Sequence, residues 1–279
     1  MNKQLWIAPK AVKDLNEWKK DAASGNYRAF VTVRKVNKMG RRHLIMCPYQ
    51  KRLVHLLSDG ELRTYYCSLL HKGMNEVLEQ FALDIDETMA IARQMKVIHP
   101  RDHKTNEAKV MSTDFVVTYK HANLGRTIAY TFKYWDQIYC YDESGRVKKK
   151  NTRTWQKFEI EQRYWAARNI DYRVVTEKDS TKELAWNLQY CQDSLNLIVE
   201  PVLLSKFVAT FKKSWCADCS LTLEHLCELS ARALNIAPQN ALDIFKYCVL
   251  HEDLMLTNDF FIRSFRRLDL IIPEAQEAQ

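Results

Sequence analysis

A chain of 279 residues that is 47% hydrophobic can build one large core or two ordinary ones, and six glycines and six prolines argue against a linker-rich protein. Its 42 lysines and arginines exceed the 34 acidic side chains by +8, which favours a polyanionic partner, because basic groups displace the counterions condensed on phosphate. No run approaches the roughly 18 apolar residues of a membrane span, and Met1 to Lys10 lack the apolar stretch of a secretory signal, so a cytosolic setting away from the membrane is expected.

Along the chain, residues 12–22 suit a short helix carrying Lys13, Lys19 and Lys20. Phe30, Val31, Val33 and Val36 predict a strand and His43–Met46 a second, with a turn at Asn37-Lys38-Met39-Gly40. Arg34, Lys35, Lys38, Arg41, Arg42, Lys51 and Arg52 gather here, either as a solvated face or as contacts to a DNA backbone. Ser58 followed three residues later by Glu61 is a capping box and predicts a helix from about Asp59 to Lys72. Residues 77–83 read as a strand, 87–95 as a helix opened by Asp86, and 99–109 as a polar loop.

Two strands follow, Ser112–Val117 and Ala129–Lys133. A symmetric hairpin centred between Asn123 and Leu124 sets Asp114 opposite Lys133, a register that can slip. Residues 142–154 form a basic loop holding Lys148, Lys149 and Lys150, before a helix at 155–169 and an apolar strand at 172–176. Strand–helix alternation predicts an α/β core with helices on both faces. From Thr181 the pattern turns helical: a helix at 221–233, another opened by Pro238 and reaching Leu250, then a short strand at 254–257 and a turn at Asn258-Asp259. That order outlines a winged helix, a module that binds DNA or protein. The expected domains are 1–176 and 177–279.

Asp114, Lys133 and Glu61 are the residues with chemistry to offer. Phosphodiester hydrolysis needs an activated water and neutralisation of charge on the attacked and leaving oxygens. Mg²⁺ does both and prefers carboxylate, carbonyl and water ligands. Two carboxylates can hold it, and a nearby lysine can orient the water and stabilise developing charge. The alternatives are an ordinary cross-strand salt bridge for Asp114 and Lys133, and a purely capping role for Glu61.

Asp114 followed by Thr131-Phe132-Lys133 resembles the PD-(D/E)xK core of restriction endonucleases. Leu56–Leu62, Glu79-Gln80-Phe81, His99-Pro100, Val110–Phe115 and Glu159–Trp165 together resemble TnsA-like transposon endonuclease subunits over residues 28–176. The resemblance implies a restriction-endonuclease-like mixed sheet flanked by helices, with a mostly helical, winged-helix-like C-terminal domain. It implies that Glu61 and Asp114 bind Mg²⁺, with Mn²⁺ able to substitute, that the Phe132 backbone carbonyl is a further ligand, and that Lys133 is the catalytic lysine. It also implies cleavage of the 5′ (non-transferred) strand at transposon ends, beside a TnsB-like DDE transposase and a TnsC-like AAA+ ATPase, in the bacterial cytosol or nucleoid. Thr131 departs from the pattern: an acidic residue or glutamine is expected there, and its short hydroxyl is the weakest metal-ligand candidate. The alternatives are a stand-alone restriction or repair nuclease, and a DNA-binding assembly factor whose site has decayed.

Glu159 and Glu161 are expected to stabilise their helix, with outer-shell help to the site as the other reading. Cys216 and Cys219 have zinc-ligand spacing, but a structural site needs two more ligands, so the eight cysteines are expected as free thiols. His55, His71, His99, His103 and His121 read as ordinary polar residues, and Trp155, Tyr164 and Trp165 as packing aromatics.

Overall fold

The computed structural model describes residues 5–35, 40–47, 49–121 and 124–272. They group into two compact units, one of residues 1–69 and 73–180, the other of 70–72 and 181–279. Among the described residues no helix is long and apolar enough to cross a membrane.

The first unit begins with helix α1 (Pro9–Ala23), whose Leu15 and Trp18 are buried. Strands β1 (His43–Cys47) and β2 (Arg52–Leu56) form an antiparallel hairpin, and helix α2 (Asp59–Leu69) follows directly. Strand β3 (Met74–Ala82) leads to helix α3 (Ile85–Gln94), capped by Asp84, whose carboxylate accepts from the Glu87 amide at 3.0 Å. Strands β4 (Ser112–His121) and β5 (Leu124–Phe132) form the long central hairpin. A short helix α4 (Trp135–Ile138) and a small hairpin, β6 (Tyr139–Tyr141) with β7 (Val147–Lys149), precede helix α5 (Thr152–Ala166) and strand β8 (Asp171–Val175).

These elements make a mixed four-stranded sheet in the order β3-β4-β5-β8, antiparallel except for the parallel β5–β8 pair. On one face Tyr65 of α2 lies 6.3 Å from Phe115 of β4. On the other, Ile160, Tyr164 and Trp165 of α5 pack with Ala92 of α3 and with Val116 and Ala129 of the sheet. A sheet buried on both faces by helices is the layered α/β arrangement that the alternation implied.

Three expectations are corrected. Residues 30–35 are bends and turns rather than a strand: the Phe30 ring packs 6.1 Å from Trp18, its amide donates to the Gln80 carbonyl, and β1 pairs with β2 instead. The β4–β5 register pairs Phe115 with Tyr130 and Thr118 with Thr127, two residues along β5 from the expected one, which would set Asp114 across from Thr131 rather than Lys133. A two-residue slip keeps the same faces in contact, so a symmetric-turn argument does not detect it. Finally, residues 142–154 hold the β6–β7 hairpin and the start of α5, not a loop.

The second unit contains α6 (Lys182–Cys191), α7 (Pro201–Ala217), α8 (Leu223–Leu234) and α9 (Pro238–Leu250), then strands β9 (Met255–Leu256) and β10 (Leu270–Ile271) paired antiparallel. Phe211 stacks between Phe207 at 5.6 Å and Phe245 at 5.3 Å at its centre. Buried Asn187 ties α6 to the ribbon: its amide donates to Asn258 and to the Phe260 carbonyl, and its oxygen accepts from the Ile262 amide at 2.7 Å.

Candidate active site

The first turn of α2 and the facing ends of β3, β4 and β5 bring the proposed residues together. Ser58 caps α2 by accepting from the Glu61 amide at 3.1 Å, while Glu61 Oε2 reaches back to the Leu57 amide at 2.8 Å. Glu61 therefore fills the capping role, here on the amide before the cap residue, and faces the sheet as well. Gly60 allows this approach: a Cβ there would fall 1.9 Å from Cε1 of Phe132, so only a residue without a side chain lets α2 sit against the end of β5.

Gln80 joins the two carboxylates. Its Nε2 donates to Glu61 Oε2 at 3.1 Å and to Asp114 Oδ1 at 3.4 Å, and its Oε1 accepts from the Ser112 hydroxyl at 3.2 Å. Gln80 is 2% exposed and adopts φ 50°, a left-handed conformation inside a strand. The β3–β4 pairing runs Glu79↔Phe115, then Phe81↔Thr113, and steps over Gln80 and Asp114. The kink breaks the strict alternation of faces. The Thr113 hydroxyl meets Trp165 and Glu161 of α5, whereas Asp114 joins Glu61 at the Gln80 amide and Phe115 packs toward Tyr65 of α2.

Asp114 Oδ2 also accepts from the Phe132 amide at 2.8 Å, where a regular ladder would offer a backbone carbonyl. Among the described residues Lys133 makes no ion pair with Asp114 within 4.0 Å, yet its charge favours the ionised carboxylate. Burial raises the Asp114 pKa, opposed by Lys133 and by the Phe132 and Gln80 hydrogen bonds. Glu61 is raised by burial first and then by the negative charge of Asp114. Two buried carboxylates within repelling range, sharing one amide donor, are a pair whose charge a cation would neutralise. They are a pair rather than a triad: among the described residues no three His, Cys, Asp or Glu side chains form a metal-holding group.

Thr131 and Glu161 stand apart. The hydroxyls of Thr131 and Thr113 both donate to Glu161 Oε2 at 2.9 Å, so the candidate ligand Thr131 is turned toward α5 and occupied there. Glu161, expected to stabilise its helix, is instead 5% exposed and bonded to two strands; burial, then Asp114, pushes its pKa up to about 8. Glu159 does serve its helix, through an ion pair with Arg163 at 2.8 Å. Gln80, a neutral amide inside an apolar strand, carries no chemical signal of its place between the two acids, although it lies within one of the stretches that carry the family resemblance.

The basic candidates lie in two places. Arg34, Lys35 and Arg41 are exposed, Arg42 donates to the Val33 carbonyl, and Lys38 falls outside the described residues. Arg52 is no surface contact: it pairs at 2.6 Å with Glu79, which is fully buried. Lys148, Lys149 and Lys150 are exposed on and just after the β6–β7 hairpin. In the second unit Cys216 and Cys219 are exposed while Cys227 and Cys248 are buried. His99 is buried between Thr88 and the Pro100 carbonyl, and its pKa is lowered to about 4 by desolvation.

A family model described as TnsA-like endonuclease N terminal matches residues 73–177, the stretch that carries the whole four-stranded sheet, Asp114 and Lys133. The chain is also similar to the transposon Tn7 transposition protein TnsA of Escherichia coli, at 27% identity over 165 residues. That alignment takes in 59% of this chain and 55% of the relative, so the chain spans about half the length of the curated protein it matches. Residues 73–177, a mixed sheet that carries Asp114 with Lys133 just beyond β5, are therefore similar to a TnsA-like N-terminal endonuclease domain.

Proposed function

We propose that this chain is the divalent-metal-dependent DNA endonuclease subunit of a heteromeric transposase and cleaves the 5′ (non-transferred) strand at transposon ends. The observation that carries the reading is the convergence of Glu61 and Asp114 on one Gln80 amide, beside Lys133, within a TnsA-like fold. Mg²⁺, or Mn²⁺ in its place, would be held by the two carboxylates and the Phe132 carbonyl. The Phe132 amide already faces Asp114, and in extended backbone the carbonyl of a residue faces the same edge as its N–H. A hard divalent ion there supplies Lewis acidity at the scissile phosphate. Lys133 opposes the burial that raises the Asp114 pKa and offers its ammonium to the charge that develops on the phosphoryl oxygens. The α2 N-terminus seats Glu61, and Gly60 lets it close on β5.

Residues 181–272, whose last two helices are followed by a two-stranded ribbon, fit a winged-helix-like module for contact with a TnsC-like AAA+ ATPase or with DNA. A TnsB-like DDE transposase would process the other strand, in the bacterial cytosol or nucleoid. The test is a strand-resolved cleavage assay on a transposon-end duplex with the cognate partners. Wild type should nick the 5′ strand, whereas Asp114→Ala and Lys133→Ala should lose at least about 10³-fold in rate while still assembling. Full cleavage by either variant removes these residues from the mechanism, and sequence-specific cutting by the isolated chain points to a stand-alone nuclease.

One observation favours the decayed-site reading: Thr131 is bonded to Glu161 and offers nothing to the carboxylate pair. Titration calorimetry with Mn²⁺ separates the two. Binding that depends on Glu61 and Asp114 supports the nuclease, and no such binding supports the assembly factor.

A further inference from the structure

Beside Lys133 lies an open cleft of about 500 Å³ that the proposed chemistry does not use, lined by Lys133, Asp136, Gln137, Ile138, Lys150, Asn151 and Thr154. One wall is the catalytic lysine and the other is Lys150, at the exit of the β6–β7 hairpin. Residues 141–150 are all exposed. Asp142, an acidic group within the hairpin, is taken up by its turn, accepting from the Ser144 amide and hydroxyl and from the Arg146 amide.

The hairpin is held on a row of four aromatic rings. Trp155 of α5, Tyr139, Trp135 and Tyr141 follow one another at centroid separations of 5.5, 5.7 and 5.0 Å. Lys149 lies 4.0 Å over Trp155 and Lys178 lies 3.8 Å over Trp135, and Trp155 Nε1 is anchored on the Ile138 carbonyl at 3.2 Å. Such packing gives a short two-stranded ribbon a fixed position that its own ladder could not supply. The end of the row is open, because Tyr141 is 60% exposed.

The acids on this side are Asp136 in the cleft lining and Asp142 and Glu143 of the hairpin. Among the described residues Lys133, Lys148, Lys150, Arg153 and Lys157 take part in no ion pair, although paired charges occur at many other places on this unit. Arg153 and Lys157 lie one helical turn apart on α5. Burial lowers the Lys157 pKa, as do the charges of Arg153, Lys133 and Lys109, against the opposing charge of Glu161. A set of cations that repel one another next to a phosphodiesterase centre is stabilised when further phosphates of the same polymer arrive.

We propose that the DNA backbone flanking the cut is gripped by a cationic track that runs from Lys133 across the cleft to Lys150 and Lys148, with Arg153 and Lys157 of α5 along its side and Tyr141 at its end. The ligand is the phosphate chain of duplex DNA, read without regard to sequence. The inference rests on the nuclease reading, since it takes Lys133 as the point where the scissile phosphate sits.

The experiment uses the full chain and a labelled random-sequence duplex, with binding followed by fluorescence anisotropy across a salt series. Lys148→Ala with Lys150→Ala is expected to weaken binding at least about tenfold and to flatten the slope of log Kd against log salt by about 2, one phosphate contact per lysine. Lys148→Arg with Lys150→Arg should restore the slope, which a structural role for the lysines would not predict. Because both side chains are exposed, melting temperatures should not move. Unchanged affinity and slope in the alanine pair overturn the track. The binding series is run without divalent metal and needs no cleavage, so a failure of the track stays distinct from a failure of the nuclease centre, which the strand-resolved cleavage assay reads.

Discussion

The two faces of the central sheet each bury carboxylates, and they satisfy them differently. On the α5 face Glu161 is a single acid whose Oε2 receives two threonine hydroxyls at 2.9 Å. On the α2 face Glu61 and Asp114 lie in repelling range and share one Gln80 amide, while the Leu57 amide and the Ser58 hydroxyl also donate to Glu61 and the Phe132 amide to Asp114. A second acid sharing the same donor, rather than burial or the number of donors, sets the Glu61–Asp114 pair apart from Glu161.

The largest effect should come from neutralising one acid on each face. Glu61→Gln is expected to lower Mn²⁺ affinity by at least about 10-fold in titration calorimetry. In Glu161→Gln the amide oxygen still accepts the threonine hydroxyls, so affinity should stay within about threefold of wild type. Equal losses in the two variants would erase the distinction between the faces. A smaller effect tests how the α2 face is assembled. Gly60→Ala places a methyl group on the Phe132 ring and should destabilise the unit by about 1–3 kcal/mol, read by urea unfolding. It should also reduce Mn²⁺ binding, because Glu61 moves with its helix. Neutral behaviour in both assays would show that the close approach is not required.

The smallest effect is a pH dependence. Folded-state pKa values above the unfolded ones mean that Glu61, Asp114 and Glu161 retain protons that the unfolded chain releases. Their contribution to stability is full below the ordinary carboxylate range and is lost as pH rises toward the value of about 8 for Glu161. Without metal, the melting temperature should therefore fall between roughly pH 5 and pH 8. Saturating Mg²⁺ should remove the part due to Glu61 and Asp114, since metal binding expels their protons. Glu161→Gln should remove the remainder. A flat profile without metal would show that the acids are already ionised.

Much of this site could be read from the chain because its parts carry local signals. Ser58 and Glu61 announce a helix start, Asp114 opens one run of strand composition and Lys133 closes the next. What stayed hidden depends on neighbours distant in sequence. The true partner of β1 is β2, in a hairpin whose turn takes Lys51 to φ 51° without a glycine to mark it. The β6–β7 hairpin is too short and too polar to show alternation, and the aromatic row that holds it is visible only once Trp155 has folded back. Glu161 looked like its neighbour Glu159 because both lie in a charged helix. Only the threonines of two separate strands distinguish them.

The left-handed backbone at Gln80 also matters to anyone who would redesign this protein. An idealising protocol would replace Gln80 with a β-branched residue, straighten the strand and complete the pairing with Asp114. Strain on the order of 1 kcal/mol would be relieved. The repaired alternation would carry the Asp114 carboxylate to the other side of the sheet, away from Glu61, leaving a sturdier scaffold with its working pocket erased.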